Sequence, residues 1–332
     1  DTELLLVDVN GKTWHTGCYG AVIEPPKPYL CFTSTGDSTV AMTQNGTPNK
    51  SAGKVIQYKI NNGRWQTWDL SAVTLVDGDK MYIKSDDEIS MAESTEIYKK
   101  FVMTGSIAAS GNIMSLLNFS DTLTDYAFYG LFKNCTSLTQ APELPATTLT
   151  RYCYSNMFEA CSALTQAPVL PATTLAESCY QQMFSDCTSL TQAPELPATT
   201  LKRSCYVSMF YGCTSLTQTP ALPATTLEVS CYFNMFNRCT SITTAPELPA
   251  TTLVMFCYEQ MFYNCSKLNY VKAMFTTISG GALSGWLNYV SSTGTFIKSK
   301  DATWSNTDAN IPSGWTVQVE GGVTPEPEPE RD

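Results

Sequence analysis

Carboxylates and cysteines recur in this chain at fixed intervals, and their chemistry has to be weighed first. Glu143, Glu195 and Glu247 stand 52 residues apart, with Val169 and Ala221 at the intermediate positions. Layers stacked at the strand spacing of about 4.8 Å would place two such carboxylates roughly 10 Å apart, superficially the separation of an inverting glycosidase pair. Nothing in the sequence raises the pKa of one above the other and no cleft is indicated, so a solvated acidic stripe is the better reading. The 13 cysteines form two series. Cys135, Cys161, Cys187, Cys213, Cys239 and Cys265 follow a period of 26 residues, as do Cys153, Cys179, Cys205, Cys231 and Cys257. There is no C-x-x-C pair and the single histidine is His15, which argues against zinc. An odd total is awkward for a disulfide framework, although stacked neighbours could come close enough to bridge. The cysteines read as reduced and packed, each a small hydrophobe. No G-x-S-x-G, Gly-rich phosphate loop or supported Cys-His pair occurs. The expectation is no catalytic residue, no metal and no cofactor: a protein that is not an enzyme.

These residues are held by a repeat. Each unit reads close to CTSLTQAPELPATTLxxxCYxxMFxx, and a fixed period in this range means stacked units that bury one face against their neighbours. In one unit, Leu164, Ala167 and Leu170 are apolar at intervals of three, and Pro168 and Pro171 exclude a helix. That predicts a short extended segment and a turn, continued around a corner by Ala172-Thr173-Thr174-Leu175. Cys179, Met183, Phe184 and Cys187 follow at spacings of four, one and three, which predicts one or two helical turns with one apolar side.

The pattern L-x-x-A-P-x-L-P-x-x-x-L-x-x-x-C-Y-x-x-M-F-x-x-C resembles the BspA-like leucine-rich repeats of bacterial surface proteins, over about residues 112–290. The unit is longer than is usual in that family, and Cys-Tyr replaces a small residue. The expected fold class is therefore mixed: a leucine-rich-repeat solenoid of 26-residue coils preceded by a small antiparallel β-sandwich. The resemblance implies an exported protein on the cell surface of a host-associated bacterium of the Bacteroides group, used in attachment. Bacteria of that group O-glycosylate Asp-Ser/Thr motifs in exported proteins. Asp37-Ser38-Thr39 fits and lies in an expected turn, making Ser38 the candidate. Asp121-Thr122-Leu123 fits too but falls on an expected packed corner.

Around the repeats, residues 1–26 read as an N-terminal hairpin or strand segment and residues 27–110 as a β-sandwich of immunoglobulin-like architecture. Its expected strands are Tyr29–Ser34, Thr39–Thr43, Val55–Ile60, Arg64–Trp68, Ala72–Val76 and Lys80–Lys84, with hairpin cues at Asn61-Asn62-Gly63 and Asp77-Gly78-Asp79. The repeats occupy 111–290. A C-terminal cap follows at 291–322, then a Pro/Glu tail at 323–332 with polyproline character. The chain starts at Asp1 without a signal segment and reads as a processed form.

The net charge of −10 with no basic run disfavours nucleic acid and anionic membrane surfaces. No apolar stretch approaches the roughly 20 residues that span a bilayer. Two surfaces remain as ligand candidates. One is uniform, with Gln140, Gln166, Gln192 and Gln218 beside Glu143, Glu195 and Glu247, and suits a periodic ligand such as a glycan. The other varies from coil to coil ahead of each Cys-Tyr and carries Arg151, Tyr152, Arg203 and Phe256, the anchors expected of a protein interface. Leu4, Leu5, Leu6 and Val7 are too apolar for a free terminus and are candidates for self-assembly through strand addition. The leading reading is a non-enzymatic adhesion protein for a host or microbial surface protein or glycan. The alternative is a structural subunit of a surface filament.

Overall fold

The computed structural model describes residues 28–50 and 53–321, together with the backbone of 5–7 and 13–15. Strands β1 (Leu5–Val7) and β2 (Thr13–His15) pair antiparallel as a separate two-stranded sheet. The next region is a sandwich. Its larger sheet contains β3 (Leu30–Ser34), β5 (Ile56–Ile60), β6 (Gln66–Thr67), β8 (Lys80–Ser85) and β10 (Ile107–Ser110). Its smaller sheet has the order β7 (Val73–Leu75), β4 (Ser38–Asn45), β9 (Tyr98–Thr104). Every second residue of β4, β8 and β9 is buried: Val40 and Met42, Met81 and Ile83, Phe101 and Met103. The sheets close on each other with Phe32 and Phe101 edge to face at 4.9 Å. The turn at Asn61 has φ 50°, consistent with the hairpin cue there.

Beyond β10 the structure corrects the leucine-rich-repeat solenoid. Strand accounts for 24% of the chain and helix for 2%, and no sheet runs through the repeats. Among the described residues the one helical segment named is a 3-10 turn, Ile113–Leu117, ahead of the repeats. The extended parts contribute β11 (Leu138–Gln140), β12 (Tyr270–Ala273) and isolated parallel bridges such as Thr148 with Thr174 and Gln192 with Gln218.

The segment expected to be helical is instead a ribbon of consecutive four-residue turns. Left-handed φ values recur at every fourth residue: Tyr152 (54°), Asn156 (57°) and Ala160 (58°), then Ser178, Gln182 and Asp186 (53–58°). The same period runs through Ser204, Ser208 and Gly212 and on to Gly281, Gly285 and Tyr289. Backbone N–H groups divide between two tasks. Those of Cys153, Ser155, Met157, Glu159 and Cys161 donate three residues back, closing turns at 3.1–3.3 Å. Those of Tyr152, Tyr154, Asn156, Phe158 and Ala160 donate to carbonyls 25 residues ahead, in the next coil, at 2.7–3.1 Å. An α-helix would spend every donor internally. The ribbon spends half of them between coils, and its left-handed residues cost about 1–2 kcal/mol each where they are not glycine. Inter-coil hydrogen bonds, about 0.5–1.5 kcal/mol net apiece, and the core offset that strain.

The ribbon's period of four puts two residues in and two out. Cys153, Tyr154, Met157, Phe158 and Cys161 are buried at 0–1% exposure, and equivalent residues of later coils stack on them. One column runs Phe132, Phe158, Phe184, Phe210, Phe236, Phe262, with ring centroids 5.3–5.8 Å apart. A second runs Tyr154, Tyr180, Tyr206, Tyr232, Tyr258 at 5.8–6.1 Å. The cysteine series that begins at Cys135 is bonded as well as packed. Cys135 Sγ donates to the Phe101 carbonyl of β9 at 3.3 Å, and each later Sγ donates to a phenylalanine carbonyl one coil back, as in Cys161 to Phe132, Cys187 to Phe158 and Cys213 to Phe184, all at 3.1 Å. The repeat thiols are all free and buried. A thiol reagent should therefore find almost none of them in the native protein and at least 11 after denaturation without reductant. A count near two would mean that neighbouring coils are bridged.

Both ends of the array are covered. At the first, β10 pairs parallel with β11, and Phe101 and Phe132 stack at 5.1 Å, so the sandwich core runs into the coils. At the other, Trp286 caps both ring columns, 6.4 Å from Tyr258 and 6.5 Å from Phe262. A parallel sheet of β12, β13 (Gly294–Lys298) and β14 (Trp315–Val319) then closes the chain.

Candidate binding surface

Because two residues in four point outward, each coil offers short polar or apolar columns on the ribbon's outer side. Early coils fill them with Arg151, Tyr152 and Glu159, then Glu177 and Gln181. Here charge is satisfied locally. Arg151 reaches Glu177 at 3.6 Å and lies 5.2 Å from the Tyr152 ring, which stacks on Tyr126 at 5.1 Å. Lys133 pairs with Glu159 at 2.7 Å. Later coils place Val207 and Tyr211, then Val229 and Phe233, then Met255, Phe256 and Tyr263 in the same columns. Met255 is 50% exposed and Phe256 38%. Desolvation raises the Glu259 carboxyl above the usual carboxylate range and raises the Tyr263 phenol. Arg238 lies 5.6 Å from the Tyr211 ring, and the Asn237 side-chain oxygen Oδ1 is buried without a hydrogen-bond partner. The array thus passes from a polar outer side to an apolar one carrying aromatics and arginine.

The structure separates the sequence-derived candidates. Arg151, Tyr152, Arg203 and Phe256 lie on the ribbon's outer side. Gln140, Gln166, Gln192 and Gln218 are exposed on the extended segments, where Gln140 and Gln166 edge a shallow proline-lined groove of about 340 Å³. Glu143 lines that groove, and its backbone pairs with Gly111 and Ile113. Glu195 is exposed. Glu247 lies elsewhere: Lys272 pairs with it at 2.7 Å and with Glu320 at 3.0 Å, and both bonds raise the lysine's pKa. The three glutamates share no cleft.

Ser38 requires a correction. It is 2% exposed within β4, and its hydroxyl bonds to Ser34 at 2.9 Å, so the accessible turn expected there is absent. In the alternative motif Thr122 is exposed while Leu123 is buried. Of the assembly candidates, Leu5, Leu6 and Val7 form β1, and Leu4 lies outside the described residues, as do Cys18 and the Pro/Glu tail.

Sequence reasoning missed Val207, Tyr211, Phe233 and Tyr263, because a helical reading rotates them away from Met255. It also missed two clefts. One, about 550 Å³, lies where the sandwich meets the first coil and is lined by Lys50, Glu88, Ser90, Asp125 and Tyr126 among others. The other, about 580 Å³, lies at the far end beside Tyr289. No group of acidic, histidine or cysteine side chains that could hold a metal occurs among the described residues, and no helix there is long and apolar enough to cross a membrane. No family model matches the chain, and no curated protein or solved structure matches it.

Proposed function

We propose that this protein is a non-enzymatic binding protein of a bacterial cell surface, which engages a protein of a host or another microbe through the apolar end of the ribbon face. The observation that carries this reading is the exposure of Met255 and Phe256 in columns that earlier coils fill with Arg151, Glu177 and Ser178. A repeat that can place polar residues at these positions places large apolar ones together in consecutive coils. Contiguous exposed apolar surface of this kind, flanked by arginine, marks protein contacts. Export and surface location are supported by the resemblance of the 26-residue pattern to BspA-like surface proteins.

A second reading, a filament subunit, is favoured by β14, which pairs with β13 on one side and has no partner strand on the other among the described residues.

One experiment addresses both. Binding to immobilised extracellular-matrix proteins and to cell monolayers is compared for the wild type and for Phe233→Glu with Met255→Glu. The expected result is a loss of at least tenfold, about 1.4 kcal/mol, with an unchanged melting temperature and a wild type that is monomeric by light scattering. Equal binding by both proteins overturns the interface. Concentration-dependent growth of the wild type in light scattering supports the filament instead.

A further inference from the structure

We propose that the cleft beside Tyr289, at the closed end of the array, binds an uncharged pyranose unit of a glycan. Tyr263 borders both this cleft and the Met255 and Phe256 surface, but the variants that test the two proposals differ, so either can fail alone.

Tyr289 points to it. It takes the third left-handed position of the last ribbon, with φ 60°. Equivalent positions hold Asn134, Ala160, Asp186, Gly212, Arg238 and Asn264. Asparagine and glycine tolerate that conformation, whereas an aromatic side chain is strained there. Tyr126, Tyr152 and Phe256 share the left-handed conformation; what sets Tyr289 apart is its exposure, 67% against 38% for Phe256. An edge contact with Tyr263, centroids 5.1 Å apart, holds the ring over the opening.

The lining sets the ligand class. Asn288, Ser291, Ser292, Thr307 and Asn310 supply amides and hydroxyls, and no residue lining the cleft carries a charge. Amides and hydroxyls donate and accept together, which matches the hydroxyl rim of a sugar, while an exposed ring offers an apolar platform for its C–H face. A sialic or uronic acid would find no cation here. The cleft at the sandwich junction has the opposite character, with Lys50, Glu88 and Asp125 in its wall. The walls are also fixed in advance. Trp315 donates its indole N–H to the Ser291 carbonyl at 2.8 Å, and Trp286 donates to the Ala309 carbonyl at 2.7 Å. The Asn310 amide donates to Leu283 at 3.3 Å, which orients its side chain. A volume of about 580 Å³ suits a short oligosaccharide.

The test is saturation-transfer NMR on the full chain with maltose, cellobiose, lactose and N,N′-diacetylchitobiose, set against the monosaccharides N-acetylneuraminic acid and glucuronic acid. The expected result is transfer to at least one neutral sugar and none to the acids. Tyr289→Ala should weaken that affinity at least tenfold and Tyr289→Phe should retain it, since the ring and not the hydroxyl is the platform. Asn310→Ala should weaken it without altering the far-ultraviolet spectrum. Silence with all four neutral sugars, equal transfer to the acids, or full binding by Tyr289→Ala would each overturn the assignment.

Discussion

Replacing Phe184 with alanine should lower the unfolding free energy by about 3–5 kcal/mol, the range for a buried phenylalanine. Its side chain is fully buried and sits between two others, 5.6 Å from Phe158 and 5.8 Å from Phe210, with planes within 7° of parallel. Truncation therefore removes two stacking contacts at once, each worth about 0.5–1.5 kcal/mol beyond the buried area. The backbone on either side cannot collapse into the void, because Phe184 N–H is bonded to the Met209 carbonyl and the Phe184 carbonyl accepts the Cys213 thiol. The upper half of the range is the expected outcome. Glu195→Ala, at an exposed position one coil on, should change stability by less than about 0.5 kcal/mol. Equal costs for the two would mean that the inward and outward faces are reversed. Denaturant unfolding is the measurement, read by far-ultraviolet dichroism for the repeats and tryptophan fluorescence for the ends. No tryptophan lies between Trp68 and Trp286. Coils touch only their neighbours, so a weakened middle coil should also separate the two signals.

The repeat was legible because its period is written in cysteines, and the inward residues were mostly identified: Leu164, Leu170, Leu175, Cys179, Met183, Phe184 and Cys187 are buried, while Ala167 is only partly so. The conformation was not legible. Cys179, Met183 and Cys187 recur every four residues in an α-helix and in a ribbon of four-residue turns alike, so apolar spacing cannot separate them. The distinguishing signal is at the left-handed positions. Asn156, Ser178, Ser204, Ser230 and Asn234 are short polar residues, several of a kind that tolerates the left-handed region. A surface helix would favour Ala, Glu or Lys there instead. Reading those positions as turn residues would also have brought Phe233 and Tyr263 onto the face of Met255. Ser38 failed for a different reason. Asp37-Ser38 resembles a turn locally, yet its hydroxyl lies with Ser34 and is drawn into the sandwich by the backbone of Ser106, 68 residues away, a partner that no local pattern reveals. The cleft at Tyr289 is likewise assembled from segments about twenty residues apart.

The fold should come apart as a unit near pH 10, and the cysteine columns are the reason. Burial raises the thiols of Cys135, Cys153 and Cys205 to about 12 and that of Cys257 to about 11, and raises the others also. In the unfolded chain a thiol ionises near 8.5. The unfolded state therefore holds fewer protons than the folded one above that pH, and stability falls as pH rises. The contribution is fully present below about pH 8.5 and is lost progressively toward the folded-state values. Each thiol costs about 1.4 kcal/mol per pH unit in that window, or about 2 kcal/mol by pH 10. Summed over the eleven repeat thiols, that reaches about 20 kcal/mol, more than the 5–15 kcal/mol by which domains are usually stable. The buried phenols of Tyr154, Tyr180, Tyr206, Tyr232 and Tyr258 are raised by the same desolvation and add to the loss above pH 10. In the presence of reductant, far-ultraviolet ellipticity and thiolate absorbance should therefore change together, in one steep step between about pH 9 and 10.5, and revert on neutralisation. Thiolate absorbance that grows from pH 8.5 while the ellipticity stays constant would place the cysteines in contact with solvent. A fold that persists in reductant beyond pH 11 would mean that ionisation of the cysteine columns does not set the alkaline limit, and that the thiol-to-carbonyl hydrogen bonds tying Cys161, Cys187 and Cys213 to the coil before are dispensable.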